Sequence, residues 1–231
     1  MDEGARVHTV TRVHTVARVH AVTCVGAVGA SRQEEDVNRL EIRLSGFGGQ
    51  GIIRSGEIVG RAAALYDGRY ATFTQSYGPE SRGGACAAQV IIADDPVELS
   101  YPHLIDPSIL IIMSQGAYNK YVPCFRKDGL LAVDEDLVEL DEAAESLRVM
   151  GIPASRMAED LGRRIVANVV MLGFVAAITD IVSPEAMKKA VLESVPKGTE
   201  ELNTRAFEAG FEYGQERRQV GEVERTSGTR T

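Results

Sequence analysis

The chain has 231 residues, 44% of them hydrophobic and 25% charged, which is the make-up of one globular domain with a real core. A formal net charge of −8, aromatics at 6% and no tryptophan argue against a nucleic-acid partner and against a base-stacking platform. Three scattered cysteines, Cys24, Cys86 and Cys124, have no C-x-x-C spacing, so neither a disulfide framework nor a four-thiolate iron–sulfur site is expected.

Residues 5–22 read ARVHTVTRVHTVARVHAV and repeat R-V-H-[TA]-V every six residues. His8, His14 and His20 would share one face of a strand, but a low-complexity extension without a core to pack on is the preferred reading over a metal comb. Arg6, Arg12 and Arg18 ahead of AVTCVGAVGA faintly resemble a secretory signal. A third reading starts the native protein at Val37, from a GTG codon, and the expected division is 1–37 extension, 38–213 working domain and 214–231 frayed tail.

Within the domain, Leu40–Leu44 alternates like a short strand. A glycine loop follows, then a helix over Gln50–Leu65, ended by Asp67-Gly68. Strands are expected at Tyr70–Thr74 and Ala85–Ala93, with a loop at Gln75–Gly84 between them. Ile109–Met113 is wholly apolar, as a central parallel strand would be. A helix near Gln115–Tyr121 and strands at Leu130–Val133 and Arg148–Ile152 continue the alternation. The fold class is therefore α/β: Rossmann-like, with a mostly parallel sheet and helices on both faces. Ile165–Thr179 is too short to span a bilayer and contains Asn168, so it reads as a buried helix. Ser183-Pro184-Glu185 opens another helix with an N-cap serine, and Thr199–Tyr213 forms the last.

Two motifs carry the chemistry. In SGFGGQGIIRSG, Gly46, Gly48 and Gly51 fit G-x-G-x-x-G between a strand and a helix, where main-chain amides favour an anion. The end of the second strand lacks the acid that would bind a dinucleotide ribose, which disfavours NAD. No Walker lysine is present, which excludes ATP hydrolysis of the P-loop type. A tight turn that binds nothing remains an alternative. The second motif is TQSYGPESRGG, residues 74–84, placed at the carboxyl end of strand two and so facing the same crevice. Glu80 and Arg82 could pair with each other, or Arg82 could meet a phosphate or carboxylate.

GFGGQGI, TQSYGPESRGG and VIIADDPVELSYP together resemble the gamma subunit of 2-oxoacid:ferredoxin oxidoreductases, over nearly all of Arg39–Val195. DPSILIIMSQGAYNKY and IVANVVMLGFVAAIT fit the same family. TQSYGPE looks most like the 2-oxoglutarate type, with indolepyruvate- and pyruvate-type subunits as alternatives.

The resemblance implies a cytoplasmic enzyme that decarboxylates a 2-oxoacid oxidatively, reduces ferredoxin and releases an acyl-CoA. Thiamine diphosphate, Mg2+ and [4Fe-4S] clusters would sit in partner alpha, beta and ferredoxin-like delta subunits. This chain would bind coenzyme A without being catalytic itself: Gly46, Gly48, Gly49, Gln50 and Gly51 on its phosphates, and Tyr77, Gly78, Glu80, Arg82, Gly83 and Gly84 at the active-site mouth. No catalytic or metal-binding residue is assigned, and Cys86 and Cys124 read as buried apolar fillers. A stand-alone CoA- or nucleotide-binding module and a purely structural subunit are the rival classes.

Overall fold

The computed structural model describes residues 39–78 and 84–227. The N-terminal repeat, and with it the question of a start at Val37, lies outside them. So do Pro79, Glu80, Ser81, Arg82 and Gly83.

Six strands form one sheet in the order β2-β3-β1-β4-β5-β6: β1 Arg39–Phe47, β2 Tyr70–Tyr77, β3 Ala85–Ala93, β4 Ile109–Ile112, β5 Leu130–Asp134 and β6 Arg148–Ile152. β1, β4, β5 and β6 pair in parallel, and β3 is antiparallel to both β1 and β2. All strands except β3 thus run the same way. The mostly parallel α/β sheet holds, with one departure. β2 and β3 form a hairpin, because the short connection between them cannot carry the crossover that parallel neighbours need. The hairpin places β3, not β2, beside β1.

The helices are α1 Ile52–Arg61, α2 Gln115–Tyr121, α3 Ala154–Asp160, α4 Ala167–Ile178, α5 Pro184–Ser194 and α6 Glu200–Ser227. They divide unequally. One face of the sheet, with Ile42, Leu44, Val90, Ile111 and Ala132, packs on α1 and α3–α6. The other, with Leu110, Ile112, Leu131 and Val133, packs on Ala117 and Tyr118 of α2 and on short 3₁₀ turns. The predicted buried helix is α4, whose twelve residues are all buried. Ile165, placed in that helix by the sequence, instead sits in a preceding 3₁₀ turn and is 70% exposed.

α4 can be so deeply buried because α6 crosses it almost backbone to backbone. A Cβ on Gly210 would run into the carbonyl oxygen of Val170, and one on Gly173 into that of Phe207. The sequence places the end of this helix at Tyr213 with a frayed tail from residue 214. The structure corrects this boundary, since helical backbone continues to Ser227. Gln215–Arg218 are polar but good helix formers, and polarity alone does not end a helix. Cys124, expected to be buried, is exposed in the turn after α2, whereas Cys86 on β3 is buried as expected.

Candidate functional site

The glycine loop joins the carboxyl end of β1 to α1. Neighbouring β4 leads instead to α2 on the opposite face. The chain therefore diverges between β1 and β4, and in open α/β sheets that divergence opens the ligand crevice. Phe47, 43% exposed, stands at its mouth, against the position a Cβ of Gly116 would take.

Gln50 holds the loop in shape. Its Oε1 accepts from the Phe47 N–H at 2.6 Å, and its Nε2 donates to the Met113 carbonyl at 2.7 Å. Both ends of this side chain are thus used inside the protein, tying the loop to the end of β4. Gly46 must lack a Cβ, since one would meet Gln50 Oε1. Gly51, with φ +76, is the N-cap of α1, and a Cβ there would lie 2.5 Å from Asn168 Nδ2. Asn168, buried at the start of α4, also donates to Ser55 Oγ at 3.3 Å. The loop is in this way gripped by β4 on one side and by α4 on the other.

What the loop leaves free is the N-terminus of α1. No side chain caps it, and Ser55 is the first residue to donate back, to the Gly51 carbonyl at 2.8 Å. The N–H groups of Ile52, Ile53 and Arg54 meet no acceptor among the described residues. Open amides at the positive end of a helix dipole suit a phosphate or carboxylate.

The two sequence motifs meet. Gly48 N–H donates to the Gly84 carbonyl at 2.9 Å, so the hairpin is hydrogen-bonded to the glycine loop. In the sheet, Gly46 and Tyr77 flank Cys86 from opposite sides. Tyr77 is 55% exposed and its hydroxyl donates to Gln75 Oε1 at 3.1 Å, while Gly78 N–H closes on the Ala85 carbonyl. Gly49, with φ +102, has nothing within 4 Å of where a Cβ would sit. Glu80, Arg82 and Gly83 belong to the part of the hairpin that is not described.

The sequence reading missed Asn168 and Met113 as supports of the loop. The one signal for Asn168 was a lone amide inside an otherwise apolar helix. Among the described residues no group of three or more His, Cys, Asp or Glu stands close enough to hold a metal ion. Burial raises the Cys86 thiol above its ordinary pKa, which suppresses the reactive thiolate. No helix among them is long and apolar enough to cross a membrane. A cleft of about 360 Å³, lined by Thr179, Asp180, Ser183, Phe211, Gln215 and Arg218, lies at the other end of α4 from Asn168 and includes no loop residue.

The family model for pyruvate ferredoxin/flavodoxin oxidoreductase matches residues 41–213, both motifs included. The chain belongs to that family. A 2-oxoglutarate synthase subunit KorC from Methanocaldococcus jannaschii is 53% identical over 180 residues, covering 77% of this chain and 95% of that one. The KorC subunit of Archaeoglobus fulgidus is 34% identical over 176 residues, covering 76% and 88%. Among solved structures, the gamma subunit of a keto/oxoacid ferredoxin oxidoreductase from Geobacter sulfurreducens shares 44% identity with a TM-score of 0.67, covering 75% of this chain and 95% of that chain. A 2-oxoglutarate:ferredoxin oxidoreductase from Magnetococcus marinus has the same fold at 22% identity, with a TM-score of 0.70 over 77% of this chain and 31% of that chain. The family resemblance read from the two motifs and the α/β fold class are both correct.

Proposed function

We propose that this chain is the gamma subunit of a 2-oxoglutarate:ferredoxin oxidoreductase and that its glycine loop helps to hold coenzyme A. The observation that carries the subunit assignment is 53% identity to a 2-oxoglutarate synthase subunit across 95% of that subunit's length. The open N-terminus of α1 supports the ligand assignment, because it offers three amides to a phosphate and, among the described residues, the end of β2 has no carboxylate for a ribose.

In this reading Gln50 and Asn168 keep the loop rigid, and Gly48, Gly49 and Gly51 let phosphate oxygens approach the main chain. The hairpin from Tyr77 to Gly84 faces the subunits that carry the chemistry. Thiamine diphosphate with Mg2+ would supply carbanion stabilisation and electron uptake there, and [4Fe-4S] clusters would supply the route for electrons to ferredoxin. The described residues of this chain do not fit those groups, so alpha, beta and ferredoxin-like delta subunits would provide their ligands. The chain's own part is to bind and orient the thiol co-substrate at the mouth of the site.

The rival reading of a purely structural loop draws on the internal bonds of Gln50 and Gly48. A complex reassembled with Gly48→Val separates the two. Steric loss of a charge-assisted phosphate contact should raise the KM for coenzyme A about tenfold or more. CoA-independent decarboxylation should stay unchanged. An equal loss in both half-reactions would establish the structural turn instead.

A further inference from the structure

Strand β2 is an edge of the sheet, and the direction of its free hydrogen-bonding groups follows from its pairing. Gly78 N–H donates to Ala85, the residue directly opposite it in the β2–β3 register. Antiparallel pairs alternate between bonded and non-bonded. Tyr70, Thr72, Thr74 and Ser76 therefore turn their main-chain groups toward β3. Ala71, Phe73, Gln75 and Tyr77 turn theirs outward, and none of these four has a main-chain partner among the described residues.

Exposed edges are usually blunted by charges, proline or a bulge. This one has none of them: YATFTQSY carries no charged residue and no proline, and its register with β3 is unbroken from Tyr70 to Tyr77. Two large side chains at its ends, Tyr70 and Tyr77, are 46% and 55% exposed.

We propose that β2 pairs antiparallel with the β2 of a second copy of this chain, about a two-fold axis at Thr74, so that two sheets become one. The occupant follows from self-complementarity. With the axis at Thr74, Ala71 opposes Tyr77 of the second copy and Phe73 opposes Gln75, so outward donors meet outward acceptors in about eight main-chain hydrogen bonds. On the other face Thr72 meets Ser76 and Thr74 meets Thr74, the hydroxyl pairs that stabilise cross-strand contacts. Tyr77 finds Ala71 opposite and Tyr70 finds Gly78, and the paired strands carry no charges to meet. A strand edge alone covers less than a standard interface, so dissociation in the micromolar range is expected.

Sedimentation equilibrium of the full chain over a concentration series tests this. Wild type should dimerise, and Thr74→Lys, which sets two ammonium groups opposite each other, should weaken the dimer at least tenfold while leaving the circular dichroism unchanged. Thr74→Cys gives an independent reading, because a non-bonded antiparallel pair brings its Cα atoms to about 4.5 Å, within disulfide range. Oxidation of that variant should give a dimer cross-linked through the two introduced thiols. A wild-type chain that stays monomeric, a Thr74→Lys chain that still dimerises, or a Thr74→Cys chain that does not cross-link would each overturn the proposal.

Discussion

Two helix N-termini at the carboxyl edge of the same sheet are finished in opposite ways. At α3, the buried Asp134 from the end of β5 accepts from Ser155 N–H at 3.1 Å and from Ser155 Oγ at 2.7 Å. At α1, among the described residues, no side chain caps the helix and three amides are left without an acceptor. α2 resembles α3 in this respect, with Ser114 Oγ accepting from Ala117 N–H at 3.3 Å. Unsatisfied N-terminal amides are a cost that side chains normally relieve. Where the fold supplies its own acceptor, the end is structural. At α1 a glutamine, an asparagine and a cluster of glycines shape the end, yet the described residues supply no acceptor, which is the contrast on which the proposed coenzyme A role rests.

The largest break in this contrast is Asp134→Ala. It strands the Ser155 amide and hydroxyl and the Asp136 N–H, which donates to Asp134 at 3.2 Å. Leaving buried donors unmet should cost about 3 kcal/mol. The urea midpoint reports it, and a loss below about 1 kcal/mol would mean that the carboxylate does not hold the start of α3. Coenzyme A use should survive in whatever fraction remains folded.

Gly51→Ala attacks the other terminus. A left-handed backbone costs an alanine about 1–2 kcal/mol, and its Cβ would collide with Asn168. Stability should fall by about 2 kcal/mol. Unlike Asp134→Ala, the variant should also raise the KM for coenzyme A, because the strain displaces the open amides. A stability loss without any change in coenzyme A kinetics would end the proposed role of this helix start.

Gln50→Ala sharpens the contrast further, since it removes the brace without touching the amides. Two hydrogen bonds are lost at a half-buried site, so the expected cost is about 1 kcal/mol. Gln50→Glu should fare no better, because its second oxygen would face the Met113 carbonyl. If Gln50→Glu restored wild-type stability and coenzyme A kinetics, the bond to Met113 would carry no weight.

The contrast was only half legible in the sequence. The α1 end was visible because everything it needs is local: an alternating strand, a run of glycines and an apolar helix within about two dozen residues. The α3 end was invisible, since its helix is short, begins after Pro153 without a capping box, and takes its acceptor from 21 residues upstream. Gln50 was placed in the site from the motif, but its function depends on Met113, which the sheet brings near. Both strands of the hairpin and the loop between them were legible, but not that they pair with each other, because periodicity identifies strands and says nothing of their neighbours. For α4, hydrophobicity alone announced burial, while the glycine contact with α6 that permits it could be seen only in three dimensions.

The smallest effect is a pH dependence at the filled terminus, and it separates an ionised cap from a neutral one. Burial pushes the Asp134 carboxyl above its ordinary value of 3.8, and the Ser155 and Asp136 hydrogen bonds oppose that rise without cancelling it. The folded protein therefore binds this proton more tightly than the unfolded chain does. The contribution is fully present below 3.8 and is lost as pH rises through the folded value. Asp134→Asn keeps the size and one acceptor but cannot titrate. The stability of wild type relative to Asp134→Asn should consequently decline from acid conditions upward through that window and then level off. Unfolding midpoints of the two proteins, measured in parallel across pH, give the difference directly. A difference that instead grew with pH would show that the ionised carboxylate is the form the fold prefers, and that α3 is closed by a charge the protein holds without penalty.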